Sequence, residues 1–171
     1  AIDNLRSARI ATIVSSGNDG FSNGLSEPAC ISSAISVGAT TKTDQVASFS
    51  NSASFLNLLA PGVDIYSSVP INEYASFQGT SMATPFVAGA FALLRQADPA
   101  STVDMSLQRL VSTGAPITDS RNNITKPRIN LERALTLSPS TKTSVSGRVS
   151  LNGSPVCARV LANGVGGYSC D

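Results

Sequence analysis

Short apolar runs alternate with clusters of turn-forming residues along the chain, and the period of the apolar positions changes from one segment to the next. Asp3 to Arg9 has the pattern of the end of a surface helix. Ile10-Ala-Thr-Ile-Val14 is a β-branched apolar run and predicts a buried strand, stopped by Ser15-Ser-Gly-Asn-Asp-Gly20. Ala34 to Gly38 and Asp64 to Val69 predict further strands, and Leu56 to Ala60 a shorter one ending at Pro61-Gly62. Met82 to Leu94 is apolar nearly all round, which predicts a core helix, and it falls short of the roughly 20 apolar residues of a membrane span. Ser101 to Asp104 matches a capping box. Val103, Leu107, Leu110 and Val111 follow at helical spacing until Gly114. Ile129 to Leu135 predicts a last helix. Buried strands alternating with helices indicate an α/β layered domain with a largely parallel sheet.

Periodicity then disappears. The polar stretch beginning at Ser138 reads as a linker over 138–146, which divides the chain into a domain at 1–137 and a β-rich module at 147–171. Val145 to Leu151 alternates with period two. Asn163-Gly164 is a type I′ hairpin signal that pairs Ala162 with Val165. Counting outward, Cys157 and Cys170 fall at a non-hydrogen-bonded pair, with Cα atoms about 4.5 Å apart, so a cross-strand disulfide is feasible and would imply an oxidising compartment. Two free thiols are the other reading. Cys30 pairs with a residue ahead of Ala1 or is a plain buried thiol. The hairpin face carrying Val156, Ala158, Val160 and Val165 needs a partner sheet, so the module reads as truncated. It resembles the opening of small β modules appended to exported bacterial proteins.

Composition narrows the function. Charged residues are 13% of the chain and the net charge is +1, with no basic stripe interleaved with aromatics, which excludes a nucleic-acid footprint. Neither a membrane partner nor a required cofactor is expected. No CxxC pair or histidine supports a zinc site, and no metal is predicted from Asn57. Ala1-Ile-Asp-Asn-Leu5 lacks a basic leader and reads as an internal start. Histidine is absent from the whole chain, so a mechanism that needs an imidazole base cannot be completed by it.

The chemistry concentrates at Gly79-Thr-Ser81, where a loop opens the apolar helix. Small neighbours Gly79 and Ala83 leave room for a substrate, and free N–H groups and the helix dipole favour developing negative charge. Taken alone, a serine at a helix start is more often a cap than a catalyst. The wider pattern reverses that preference. Gly79-Thr-Ser-Met-Ala-Thr-Pro-Phe-Val-Ala-Gly89 resembles the nucleophile signature of the subtilisin-like serine proteases, the subtilase family. Ile10 to Asn18 resembles the segment that ends in the family's oxyanion asparagine. Ile35 to Ala39, Ala47 to Ser50, Ala60 to Gly62 and Arg128 to Leu131 resemble family segments in the expected order, over roughly residues 1 to 137.

The resemblance implies that Ser81 is the nucleophile of an endopeptidase that works through an acyl-enzyme, and that the Asn18 amide and the Ser81 N–H stabilise the oxyanion. It implies that Ser15, Ser16 and Gly17, with Gly79 and Thr80, contact a protein or peptide substrate, with a bulky-apolar pocket as the family default. The family's catalytic aspartate and histidine belong to an upstream half of the same catalytic domain. Asp3 stands in the wrong place for the acid, so the chain alone is expected to be inactive, and its parent secreted, extracellular or periplasmic. Structural calcium is possible in the parent. Phe86 replaces a histidine common in the family and is expected to affect packing only. A pseudoprotease that lost its base is the alternative. An α/β-hydrolase esterase fails, because Ala83 stands where G-x-S-x-G requires glycine and no histidine follows the serine.

Overall fold

The computed structural model describes residues 1–136 and, beyond them, the backbone of four short strands at 150–151, 154–155, 158–162 and 165–169. The chain divides into two units, Ala1–Leu137 and Ser138–Asp171. The first contains α1 (Ile2–Ser7), β1 (Ile13–Ser15), β2 (Ile35–Thr40), β3 (Leu58–Pro61), β4 (Ile65–Val69), β5 (Glu73–Phe77), α2 (Thr80–Ala97), α3 (Val103–Thr113), β6 (Ala115–Thr118), β7 (Thr125–Arg128) and α4 (Leu131–Thr136).

The main sheet has the order β1-β2-β3-β7-β6. β1, β2, β3 and β7 run parallel, and β6 closes the far edge antiparallel to β7. Every residue of β2 is buried, as expected of a central strand covered on both faces. Val37, Ala39, Leu58 and Ala60 meet Ala83, Val87, Ala90, Phe91 and Leu94 of α2 in the main core, which Leu107 and Leu110 of α3 extend. A smaller cluster of Leu56, Leu59 and Ile117 also involves Leu25 and Val46.

Several sequence expectations shift. The first strand starts at Ile13 rather than Ile10, is half-buried, and leaves Ile10 52% exposed. Asp64 to Val69 does form a strand, but it pairs only with β5 in a separate hairpin, most of whose residues face solvent. Tyr66 and Tyr74 stack diagonally across that hairpin with ring centroids 5.6 Å apart. The α3 cap is Thr102, whose hydroxyl accepts from the Met105 N–H, rather than Ser101, which is buried. Gly114 ends α3 without a positive φ. It is required by close approach, since a Cβ there would lie 2.7 Å from Pro127 Cβ and 2.9 Å from the Arg128 carbonyl oxygen.

In the second unit, β8 (Ser150–Leu151) pairs with β9 (Ser154–Pro155), and β10 (Ala158–Ala162) with β11 (Val165–Ser169), both antiparallel. Ala162 lies opposite Val165. Cys157, Cys170 and the stretch 138–146 lie outside the described residues.

Candidate active site

α2 begins abruptly because Gly79, at φ 150° and ψ 160°, serves as its N-cap in a conformation that side-chain-bearing residues rarely adopt. Gly79 is anchored through its N–H to the Gly62 carbonyl at 2.8 Å, and its own carbonyl accepts from Met82 N and Ala83 N. Gly62 has no room for a side chain, as a Cβ would stand 2.6 Å from Ala39 Cβ and 2.8 Å from the Gly79 oxygen. Gly62→Ala is therefore expected to displace the Gly79 turn and to destabilise the unit by about 1–3 kcal/mol, read as a lowered midpoint of chemical unfolding.

Since Gly79 is the cap, Ser81 is not: it is the second helical residue, exposed, and makes no capping bond. The cap oxygen comes from far away in sequence. Asn18 Oδ1 accepts from both the Thr80 N–H and the Thr80 hydroxyl at 2.9 Å, so its orientation is fixed by two donors and its Nδ2 must point elsewhere. A Cβ built on Gly79 would stand 3.5 Å from Met82 Sδ, 3.6 Å from Asn18 Nδ2 and 3.7 Å from Ser81 N. Two hydrogen-bond donors and the Met82 thioether thus bound one small space that a glycine at position 79 leaves empty. Ala83, expected to leave room beside Ser81, is instead fully buried in the core.

An exposed serine hydroxyl, a nearby amide donor from the loop after β1, and a helix N-terminus beneath them form one constellation. The Subtilase family pattern matches residues 1–145. This chain belongs to the subtilase family. Its relatives include subtilisin DY of Bacillus licheniformis, 40% identical over 70% of this chain and 45% of the relative. Subtilisin BL of Lederbergia lenta is 44% identical over 58% of this chain and 36% of the relative. Among solved structures, a cold-adapted subtilisin-like serine proteinase superposes with TM-score 0.68 at 30% identity, over 75% of this chain and 48% of the other. The chain thus spans less than half the length of these relatives.

The remaining expected site residues fall around the same loop of the subtilase unit. Ser15 ends β1 and is half-buried. Ser16 is fully buried, its hydroxyl donating to the Asn51 carbonyl at 3.0 Å, its N–H to the Val37 carbonyl at 2.9 Å, and its own carbonyl accepting from the Ser26 N–H at 2.9 Å. Gly17 sits at φ 106°, and a Cβ there would lie 2.3 Å from both Asn51 Nδ2 and Ser26 Oγ. Thr80 is fully buried beneath Ser81. Asn57 serves the fold: its Oδ1 accepts from the Ser36 N–H and hydroxyl. Phe86 is 45% exposed on α2. Among the described residues, no three of His, Cys, Asp and Glu cluster as metal ligands, and no helix is long and apolar enough to cross a membrane. Cys30 is an exposed free thiol, so the buried reading is corrected.

Sequence reasoning missed what holds the Asn18 loop. Asn51, fully buried, accepts through Oδ1 from the Asp19 and Phe21 N–H groups, both at 3.0 Å, and donates through Nδ2 to Asp19 Oδ2 and Ser26 Oγ. It therefore grips the loop on the residues just after Asn18. From the β6–β7 turn, Arg121 donates to the carbonyls of Ser48 at 2.8 Å and Ser50 at 2.7 Å, and to Gly20 at 3.3 Å. It also pairs with Asp119, 3% exposed, at 2.7 Å. No local pattern announces such a network, because its members come from three loops.

Burial alone would raise the Asp119 carboxyl, but hydrogen bonds from Arg121, the Arg121 charge and a hydrogen bond from Ser52 together hold it below the ordinary carboxylate value. A depressed native carboxyl stabilises the fold above the unfolded value of about 4, and that contribution is lost as the pH falls through the native value. Thermal unfolding from pH 7 to pH 3 is expected to show this loss, and Arg121→Ala to reduce it. Removing Arg121 also leaves a buried carboxylate unpaired, at an expected cost of about 3 kcal/mol at pH 7.

Proposed function

We propose that this chain is the serine-bearing half of an endopeptidase catalytic domain. Ser81 Oγ attacks the carbonyl carbon of a peptide bond, and its proton passes to a histidine of an upstream half, which an upstream aspartate orients. Charge moves onto the carbonyl oxygen, which Asn18 Nδ2 and the Ser81 N–H receive. The amine leaves with the proton held by the histidine, and water then hydrolyses the acyl-enzyme on Ser81. The observation that carries this reading is the pair of donors bounding the space over Gly79, beside an exposed serine that caps nothing.

Since the chain contains no histidine, it is inactive by itself, because an unassisted serine hydroxyl is a weak nucleophile. Ser15, Ser16 and Gly17 form one side of the substrate cleft, together with Gly79 and Thr80. Substrates are proteins or peptides, no cofactor takes part, and the parent works outside the cytoplasm. The absence of histidine equally suits a relative that lost its base and binds without cleaving. The coding sequence ahead of Ala1 separates the two: Asp-[Ser/Thr]-Gly and His-Gly motifs are expected there, and their absence would remove the enzyme reading.

A further inference from the structure

We infer that Asn51 is a positioning residue for the reaction at Ser81: it sets where the main chain of Asn18 stands, and so where the Asn18 amide meets the oxyanion. The inference rests on the reading of Asn18 Nδ2 as an oxyanion donor and adds the residue that places it.

Asn18 stands between two glycines in left-handed conformations, Gly17 at φ 106° and Gly20 at φ 71°. Glycine has the most backbone freedom of any residue, so a loop built this way needs ties from elsewhere to hold one shape. The two bonds from Thr80 to Asn18 Oδ1 fix the direction of the amide. They leave open the height of the main chain that carries it. In a reacting site that height matters, since a misplacement of about 1 Å costs on the order of 10²-fold in rate.

Residues on both sides of Asn18 converge on Asn51, and they meet different parts of it. Ahead of Asn18 the bonds go to the Asn51 main chain: its N–H donates to the Gly17 carbonyl, and its carbonyl accepts from the Ser16 hydroxyl, both at 3.0 Å. After Asn18 they go to the side chain. Oδ1 accepts from the Asp19 and Phe21 N–H groups, and Nδ2 donates to Asp19 Oδ2 and Ser26 Oγ, all at 3.0 Å. Both ends of the amide are used, which neither a carboxylate nor an aliphatic side chain of similar shape can reproduce. Asn51 is itself held from the β6–β7 turn, where Arg121 donates to the Ser48 and Ser50 carbonyls and Asn122 Nδ2 to Ser52 Oγ at 3.0 Å.

This division between main chain and side chain separates positioning from folding in general. A substitution at position 51 keeps the main-chain bonds to Ser16 and Gly17 and releases Asp19 and Phe21. The Ser15 to Gly17 side of the cleft then stays in place, while Asn18 loses the support that follows it. The loss therefore falls on kcat rather than on KM.

Steady-state kinetics on the assembled catalytic domain, upstream half and this chain together, tests the role. Asn51→Ala is expected to lower kcat by about tenfold to a hundredfold, with KM within about twofold. In an Asn18→Asp background the same substitution is expected to cost less than about twofold, because the donor it positions is already gone. Asn57→Ala removes an amide that bonds to Ser36 instead, and is expected to lower the melting temperature and leave kcat unchanged. Should Asn51→Ala not fold, a second pair of variants takes its place. Asn51→Asp sets two carboxylates against one another where Nδ2 met Asp19, and is expected to lower kcat about tenfold; adding Asp19→Asn restores a donor to that contact and is expected to regain most of the loss. An equal fold-loss in both backgrounds, a loss confined to KM or to stability, or no recovery on adding Asp19→Asn would each overturn the assignment. A costly Asn18→Asp beside a neutral Asn51→Ala defeats this assignment alone, whereas an Asn18→Asp that leaves kcat intact defeats the oxyanion reading and this assignment with it.

Discussion

Asn18→Asp in the assembled catalytic domain is expected to leave the fold standing and to lower kcat by about 10²- to 10³-fold, with little change in KM. The substitution separates two jobs that one side chain performs. Asn18 Oδ1 ties down the start of α2 through Thr80, and an aspartate oxygen accepts those same two hydrogen bonds. An added negative charge at a helix N-terminus is tolerated or favoured there. What is lost is the Nδ2 donor facing the space over Gly79, replaced by an oxygen that repels an oxyanion. The magnitude is that of subtilisin itself, where loss of one such donor costs about 2.7–4 kcal/mol of transition-state stabilisation. Steady-state kinetics beside a thermal melt checks both halves. A large drop in melting temperature would mean that Asn18 serves chiefly as a strut.

Ser81→Ala is expected to have the largest effect of all on turnover, a loss on the order of 10⁶ in kcat as in subtilisin, with stability unchanged or slightly raised. The stability half of that expectation distinguishes catalyst from cap and needs no partner. A capping serine replaced by alanine costs about 1 kcal/mol. Ser81, however, lies one residue inside a helix already capped by Gly79, and it is exposed. There alanine is the better helix former. Chemical unfolding of the isolated chain and its Ser81→Ala variant reads the difference directly.

The constellation was legible where chemistry dictates an unbroken local string. Gly79 to Gly89 and the run into Asn18 each carry their own conformational demands in sequence, a glycine at φ 150° in one and a glycine at φ 106° in the other. What escaped was tertiary. β5 was not foreseen because the turn before it places Ile71 and Asn72 at positive φ, and an isoleucine there sends no turn signal. β6 and β7 were hidden by Pro116 and Pro127, which lie opposite one another in the ladder and argue against strands when read alone. The grip of Asn51 and Arg121 on the Asn18 loop spans residues 30 to 101 positions apart, beyond any periodicity. The all-apolar pattern of α2 correctly placed its inner face in the core, while Phe86 and Leu93 on its outer face are exposed, which the same pattern did not separate from the core.

The central claim is that Ser81 is a nucleophile whose base lies outside this chain. Treating the chain with a fluorophosphonate, alone and after mixing with the upstream polypeptide, and locating the adduct by peptide mass spectrometry tests it most directly. A single adduct on Ser81 that forms only in the mixture is the result expected. Labelling of the isolated chain at an equal rate, or an adduct on any other residue of the mixture, would contradict it.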